Sequence, residues 1–141
     1  FFAPGPRITL LDPKLLERVF ALHPILHLNQ QEITSYTGKE ALKAAAEEIY
    51  RFTKNTVIVT LGADGCYYYD GEKEETISGV PAEQLDTIGA GDSHIGAVIA
   101  GLQCGKTIED AIATANRVSA KVVETEGALL SDEAFASLDL L

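Results

Sequence analysis

Apolar residues recur at helical spacing in four stretches of the chain. The first opens at Asp12-Pro13, an N-cap followed by a proline, and the last opens at Thr107, which with Asp110 resembles a capping box. This spacing predicts helices over residues 13 to 23, 39 to 54, 95 to 102 and 107 to 122. Ser131 is a candidate N-cap for a short last helix.

Other apolar runs lack helical spacing and predict strands. Residues 25–28 are of strand length, and residues 56–61 are β-branched and apolar throughout, as in a parallel-sheet strand that is covered on both faces. Residues 66–70 and 74–80 flank a turn-forming Asp-Gly stretch and predict an antiparallel hairpin at a sheet edge. Strands that alternate with helices indicate an α/β chain with a mostly parallel sheet.

Composition narrows the class of protein. With 141 residues, 46% of them hydrophobic, the chain is long enough to bury the core of one domain, predicted over 1–141. Its 11 basic and 21 acidic residues give a formal net charge of −10, which argues against a nucleic-acid partner. Any bound phosphate must therefore be held by local backbone donors, such as those at a helix N-terminus.

The cysteines, the apolar runs and the start of the chain indicate where in the cell the protein is expected. Cys66 and Cys104 lie far apart and match no metal-ligand spacing, which favours a reduced, cytoplasmic protein. No apolar run approaches the roughly 18 to 20 residues that span a membrane, so no membrane partner is expected. The apolar opening without Met suggests a piece of a longer chain, although processing or a cloning boundary would look the same.

The candidate chemistry lies in Asp86–Ser93, which reads DTIGAGDS and immediately precedes a predicted helix. Three small residues let the backbone approach a ligand closely, and their N–H groups would point outward at the positive end of the helix. Asp92 places a carboxylate within one turn of these donors, where it could deprotonate a hydroxyl that attacks a bound phosphoryl group. Alternatively, the small residues form a tight turn and Asp92 complements the helix dipole, and the local pattern favours neither interpretation.

This stretch resembles the C-terminal signature of the ribokinase-like, or PfkB, carbohydrate kinases, which reads approximately D-T-x-G-A-G-D-x-F. The resemblance implies a three-layer ribokinase-like fold and makes Asp92 the catalytic base. It also implies an anion hole, meaning amides that hold the transferred phosphoryl group, formed by Gly89, Ala90 and Gly91. His94 stands where the family usually has Phe. This departure from the family pattern does not involve the catalytic residues that the resemblance implies.

Further segments match the family pattern in order and approximate spacing. Asn29 and Glu32 match its N-x-x-E motif, which implies contacts with Mg²⁺ and the ATP phosphates, although the same residues form a capping box. Thr60, Gly62 and Gly65 match the family's T-x-G-x-x-G motif, which implies contacts with ATP. The alternative is a plain glycine turn. Asn116 falls where the family lines the adenine pocket, and otherwise it is a polar residue within a helix.

The resemblance also implies a monovalent-cation site, with K⁺ as the expected ion. Its ligands would be side chains and backbone carbonyls of Asp86, Ile88, Val122, Thr125, Gly127 and Ser131. Any residue type can supply a carbonyl, and Ser131 is also a candidate N-cap, so the sequence tests this site poorly.

The resemblance covers nearly all of the chain and aligns it with the C-terminal half of a family member. It implies an ATP-dependent kinase for a sugar or sugar-like hydroxyl, inactive by itself because the N-terminal substrate-binding half is absent, and it leaves open a homodimer in the full-length protein. Phe2–Arg7 resembles the family's F-D-P-x-x-R segment, with Ala3 where Asp is usual. Two alternatives stay open: a non-catalytic nucleotide-binding or regulatory remnant, and a truncation product that neither binds nor reacts.

Overall fold

The computed structural model describes residues 1–138 and contains both strands and helices, so the last three residues of the predicted 1–141 domain lie outside the described part. The strands are β1 (Leu26–Asn29), β2 (Val57–Thr60), β3 (Gly65–Tyr69) and β4 (Glu74–Ser78). The helices are α1 (Pro13–Phe20), α2 (Gln30–Thr37), α3 (Leu42–Thr53), α4 (Ala90–Gln103), α5 (Ile108–Val123) and α6 (Asp132–Ala136). Short 3-10 helices cover Gly5–Leu10 and Gly62–Asp64.

The helix signals read from the sequence are confirmed at three starts. The Asp12 side chain accepts from the Lys14 amide, Thr107 accepts from the Asp110 amide, and Ser131 accepts from Ala134. Helix α2 was not predicted from the sequence, because its mostly polar residues show no apolar positions at helical spacing. It begins at the capping box of Asn29, which was one of the two interpretations of that motif.

The chain divides into two compact units. The first contains Phe1–Leu61 and Cys66–Thr76, and the second contains Gly62–Gly65 together with the described residues from Ile77 onward.

The four strands form one mixed sheet in the order β1-β2-β3-β4. Strands β1 and β2 are parallel, with Leu26 opposite Val57, whereas β2 and β3 are antiparallel, with Val57 opposite Tyr69. A parallel bridge joins Phe2 to Leu26 on the other side of β1. The predicted α/β class is thus confirmed, with parallel and antiparallel pairs among the described strands, and β3 and β4 of the predicted hairpin are neighbours in the sheet.

The core of the first unit lies against β1 and β2. Leu26, Leu28 and Val57 are almost fully buried, as expected for strands covered on both faces. Helix α3 buries Ala45 and Ile49 on one face. Each fully buried Leu or Ile contributes about 1.5 to 3 kcal/mol, so this cluster dominates the stability of the unit.

In the second unit, α4 and α5 pack on each other at close range. An ideal Cβ on Gly101 would lie 3.0 Å from the Ala111 Cβ and 3.1 Å from its Cα, so the helices meet where neither carries a large side chain. Val98 of α4 and Ile112 of α5 are fully buried. No helix in the described part of the chain has the length and apolarity needed to cross a membrane.

The two cysteines should differ sharply in reactivity. Cys66 is fully buried on β3, and burial raises the pKa of its thiol to about 12, whereas Cys104 is exposed at the end of α4. We expect Ellman's reagent at pH 8 to modify one thiol quickly in the native chain and both in denaturant, because the thiolate is the reactive form. A Cys104→Ser variant should lose the fast phase, and rapid modification of that variant would contradict the buried placement of β3.

Candidate functional site

The turn before α4 requires a glycine at 89. Gly89 is the N-cap residue of α4 and has a φ of +80°, in the left-handed region that residues with a Cβ rarely adopt. A Cβ at this position would lie 2.5 Å from the Ala128 Cβ and 2.9 Å from its Cα. The loop from 86 to 89 therefore packs closely against the segment at 127 and 128.

The start of α4 exposes backbone donors next to a carboxylate. The Ala90 amide donates to the Thr87 carbonyl at 3.2 Å and the Ser93 amide donates to the Gly89 carbonyl at 2.8 Å. Within residues 1–138, the amides of Gly89, Gly91 and Asp92 have no acceptor. Gly91 and Asp92 are exposed, so this helix end presents free N–H groups and a carboxylate to solvent.

Two hydroxyls fix the first turn of α4 through one carbonyl. The Ala90 oxygen accepts from Ser93 Oγ at 2.9 Å and from Ser119 Oγ of α5 at 2.8 Å. Ser119 was not singled out in the sequence, because a hydroxyl on another helix leaves no local signal. Its bond means that α5 holds the turn that carries Asp92.

Asp86 ties the loop to the segment after α5. Its Oδ1 accepts from the Ile88 amide at 3.0 Å and its Oδ2 accepts from the Gly127 amide at 3.1 Å. These hydrogen bonds, the one from Ile88 first, hold the pKa of the Asp86 carboxyl below its usual value. The structure thus brings together Asp86, Ile88 and Gly127 of the predicted cation site.

Two of the remaining predicted cation ligands, the Val122 carbonyl and the Ser131 hydroxyl, already have partners. The Val122 carbonyl accepts from the amide of Thr125 at 3.0 Å and from its Oγ1 at 2.8 Å, in addition to the Glu124 amide. Ser131 Oγ accepts from the Ala134 amide at 3.2 Å and so caps α6. Among the described residues, no group of three or more His, Cys, Asp or Glu side chains could hold a metal ion.

The first unit places the Asn29 and Thr60 motifs side by side. These two residues are register partners at the carboxyl ends of the parallel strands β1 and β2, which is where α/β sheets bind ligands. Asn29 Oδ1 accepts from the Glu32 amide at 2.8 Å, and Glu32 Oε2 accepts from the Asn29 amide at 2.9 Å. The capping box is therefore formed, and it holds a partly exposed carboxylate at that edge.

Two predicted glycines in the second unit occupy left-handed backbone positions. Gly62 has a φ of +63° and Gly65 has a φ of +105°. A Cβ on Gly65 would collide with the Ile77 carbonyl oxygen and would lie 2.6 Å from the Ser78 carbonyl carbon. Residues 62–65 thus pack directly on the end of β4, and the Gly79 amide donates to the Asp64 carbonyl at 3.2 Å.

Asn116 is buried and its side chain is fully engaged. Its Nδ2 donates to the carbonyls of Ile77 at 3.1 Å and Ser78 at 3.0 Å, so its Oδ1 faces His94 Nε2 at 3.0 Å. Since Oδ1 can only accept, the Nε2 of His94 carries a proton. Burial lowers the pKa of His94, which favours the neutral ring. His94 is thus a buried side chain with a specific hydrogen bond to α5.

Comparison with known proteins decides the family. The profile of the pfkB family of carbohydrate kinases matches residues 8–134. The chain belongs to the pfkB family. The uncharacterized sugar kinase YegV of Escherichia coli K12 is 35% identical over 127 residues, which are 87% of this chain and 40% of that protein. This pfkB chain therefore spans well under half of that relative.

Solved structures of pfkB-type kinases share the fold. A ribokinase from Thermotoga maritima superposes with a TM-score of 0.81 at 24% identity over 95% of this chain and 47% of its own. A putative ribokinase II from Escherichia coli, solved in complex with ATP and Mg²⁺, gives a TM-score of 0.74 at 28% identity over 82% of this chain and 37% of its own. The predicted ribokinase-like fold is confirmed.

Replacing Gly89 with alanine should destabilise the pfkB signature loop. The change combines a left-handed φ with a clash against the Ala128 backbone, and we expect a loss of about 1 to 3 kcal/mol in the free energy of unfolding. Gly91→Ala is the matched control, because a Cβ there meets nothing within 4 Å, and it should be neutral or stabilising. Urea denaturation measures both, and equal effects would contradict the tight packing at 89.

Removing the Asp86 carboxyl should destabilise the chain in a pH-dependent manner. Because its pKa is lowered on folding, its contribution is fully present above the ordinary Asp value of 3.8 and is lost as the pH falls through the lowered value. The melting temperature of Asp86→Ala should lie below that of the wild type at pH 7, and the gap should narrow as the pH falls below 3.8.

Asp86→Asn provides the comparison, since it keeps one acceptor oxygen without the charge. Its melting temperature at pH 7 should lie between those of Asp86→Ala and the wild type. Glu83→Gln, an exposed carboxyl of the same connection, should leave the melting curve unchanged. Melts followed by circular dichroism from pH 7 to pH 3 measure the gap. A gap that is constant over this range would refute an ionised Asp86 as the group that ties the loop to Gly127.

Proposed function

We propose that this chain supplies the ATP-binding and phosphoryl-transfer part of a PfkB-type carbohydrate kinase that acts on a sugar or sugar-like hydroxyl. In this proposal, residues 1–141 are the catalytic C-terminal part of the kinase domain and are inactive or nearly so alone, because the acceptor pocket is incomplete. The observation that carries the proposal is the start of α4, where the exposed Asp92 carboxylate adjoins amides without acceptors in the described part of the chain.

Asp92 would act as the general base. The acceptor oxygen forms a bond to the γ-phosphorus of ATP, the bond from that phosphorus to the β,γ-bridging oxygen breaks, and the acceptor proton passes to the Asp92 carboxylate. ADP and the phosphorylated acceptor are the products. Such loose phosphoryl transfer demands little basicity, so a carboxylate at a helix N-terminus is adequate.

The backbone at 89 to 91 would serve as the anion hole. The amides of Gly89 and Gly91 have no acceptor among the described residues, and the positive end of α4 adds to their field. The Ala90 amide would be shared with the Thr87 carbonyl, to which it donates at 3.2 Å. Thr60, Gly62, Gly65 and Asn116 are the further proposed ATP contacts, although the Asn116 amide already bonds to His94, Ile77 and Ser78.

Asn29 and Glu32 fit a role in holding Mg²⁺. Magnesium in kinases is bound through one or two carboxylates together with substrate phosphates, and the Glu32 carboxylate is partly exposed with one oxygen engaged by the Asn29 amide. The ion, when bound, would offset negative charge on the phosphate oxygens. The putative ribokinase II solved with ATP and Mg²⁺ supports both as the cofactors of this chain.

The monovalent-cation site fits in part. Asp86 lies hydrogen-bonded to the backbone of Ile88 and Gly127, which gathers a carboxylate and two carbonyl-bearing residues in one place. Val122, with Thr125, and Ser131 would complete the proposed K⁺ ligands, but the Val122 carbonyl already accepts from neighbouring donors.

The free thiols of both cysteines accord with the proposed cytoplasmic location. A homodimer of the full-length protein remains part of the proposal.

The test is a coupled ATP-consumption assay against a sugar panel, run on this chain and on a version extended at its N-terminus to the length of its relatives. We expect activity only from the extended protein. There, Asp92→Asn should lower kcat by roughly 10²- to 10⁴-fold because the general base is lost, while calorimetry still detects ATP binding. Asp110→Asn, another first-turn carboxyl, is the matched control and should retain activity.

The outcomes separate the candidate functions. Turnover by the extended protein that survives Asp92→Asn would overturn the role of Asp92. ATP binding without turnover on any sugar would favour the non-catalytic nucleotide-binding remnant. Neither binding nor turnover, with aggregation, would favour the truncation product.

A further inference from the structure

A continuous set of contacts, buried at its α4 end, joins α4 to the glycine loop at 62–65 within the second unit. It begins at His94, two residues after Asp92 on α4, whose ring is only 2% exposed. His94 Nε2 donates to Asn116 Oδ1 at 3.0 Å, and Asn116 is itself 6% exposed. An apolar aromatic ring at position 94 would occupy the space but leave the Asn116 oxygen without this donor.

Asn116 in turn bonds to the backbone at the end of β4. Both hydrogens of its Nδ2 are used by the carbonyls of Ile77 and Ser78. An amide that is free to rotate would exchange its nitrogen and oxygen, and the oxygen cannot bond to those carbonyls. The two carbonyls and the proton on His94 Nε2 therefore favour the same orientation of the amide, because only an acceptor can meet that proton.

The end of β4 in turn holds residues 62–65. Gly65 has no room for a Cβ against the Ile77 carbonyl, and Gly79 has none against the Ala63 carbonyl. The Gly79 amide donates to the Asp64 carbonyl at 3.2 Å. Backbone meets backbone on both sides, so a shift of residues 77–79 must move the glycine loop with them.

We propose that His94 is a positioning residue for the 62–65 loop, acting through Asn116 and the end of β4. It touches no reacting atom, and its importance for ATP rests on the proposed nucleotide role of that loop. The buried acceptor left by loss of the donor is costly enough to drive local rearrangement. The expected consequence is a loop that samples other positions, with weaker nucleotide binding and an unchanged chemical step.

The test compares His94→Phe, which keeps the ring without a donor, with His94→Gln, whose amide can donate to Asn116. Hydrogen exchange on this chain should show the Gly79 amide exchanging about tenfold faster or more in the Phe variant, with restoration by Gln. In calorimetry with Mg-ATP, the Kd should rise about three- to tenfold in the Phe variant and recover in Gln. In the extended protein, the Phe variant should have a higher KM for ATP and an unchanged kcat.

Thr53→Val is the control for a general loss of stability. Thr53 is a fully buried residue of the first unit whose hydroxyl bonds, among the described residues, to the backbone of Ile49 and Asn55, so its loss should lower the melting temperature without changing Gly79 exchange or ATP affinity. Unchanged Gly79 exchange in His94→Phe overturns the positioning role. Faster exchange in a chain that never binds ATP upholds that role and refutes the proposed function instead.

Discussion

The close approach of α4 and α5 is the constraint on which the second unit depends. At Gly101 an added Cβ would lie only 3.0 Å from the Ala111 Cβ, and this close approach lets short polar side chains of α5 reach the backbone and side chains of α4. Ser119 reaches the Ala90 carbonyl, and Asn116 reaches His94. The turn that presents Asp92 is therefore shaped from behind by a neighbouring helix, and its own loop sequence supplies only part of its geometry.

The elements with strong local signals could be predicted from the sequence. The cap at Thr107 and the β-branched run of β2 each specify one structure over a few residues, and the structure agrees. Helix α2 shows the limit of this reasoning. Among its eight residues only Ile33 is buried, so no apolar stripe marks it, and its start depends on a capping box that also matches a ligand motif.

The candidate site divides in the same manner. The glycine at 89 could be expected from the run of small residues, and its left-handed φ agrees with that expectation. Ala128 and Ser119 could not be identified, because they contact the loop from positions about 30 to 40 residues away, where a single sequence carries no record of proximity. His94 did carry a signal, as a polar residue at a position that is usually aromatic in the family, but only the coordinates show its partner.

The Asn29–Glu32 capping box has a consequence for how order in the chain could depend on its ligands. The Glu32 oxygen that accepts from the Asn29 amide stabilises the first turn of α2, and a hard cation would compete for that same oxygen. Occupancy of the carboxylate and fraying of the helix end are then thermodynamically linked. If Glu32 holds Mg²⁺ as proposed, ion binding would exchange the local rigidity of the cap for ion coordination, and the two states would differ in the mobility of a single helical turn.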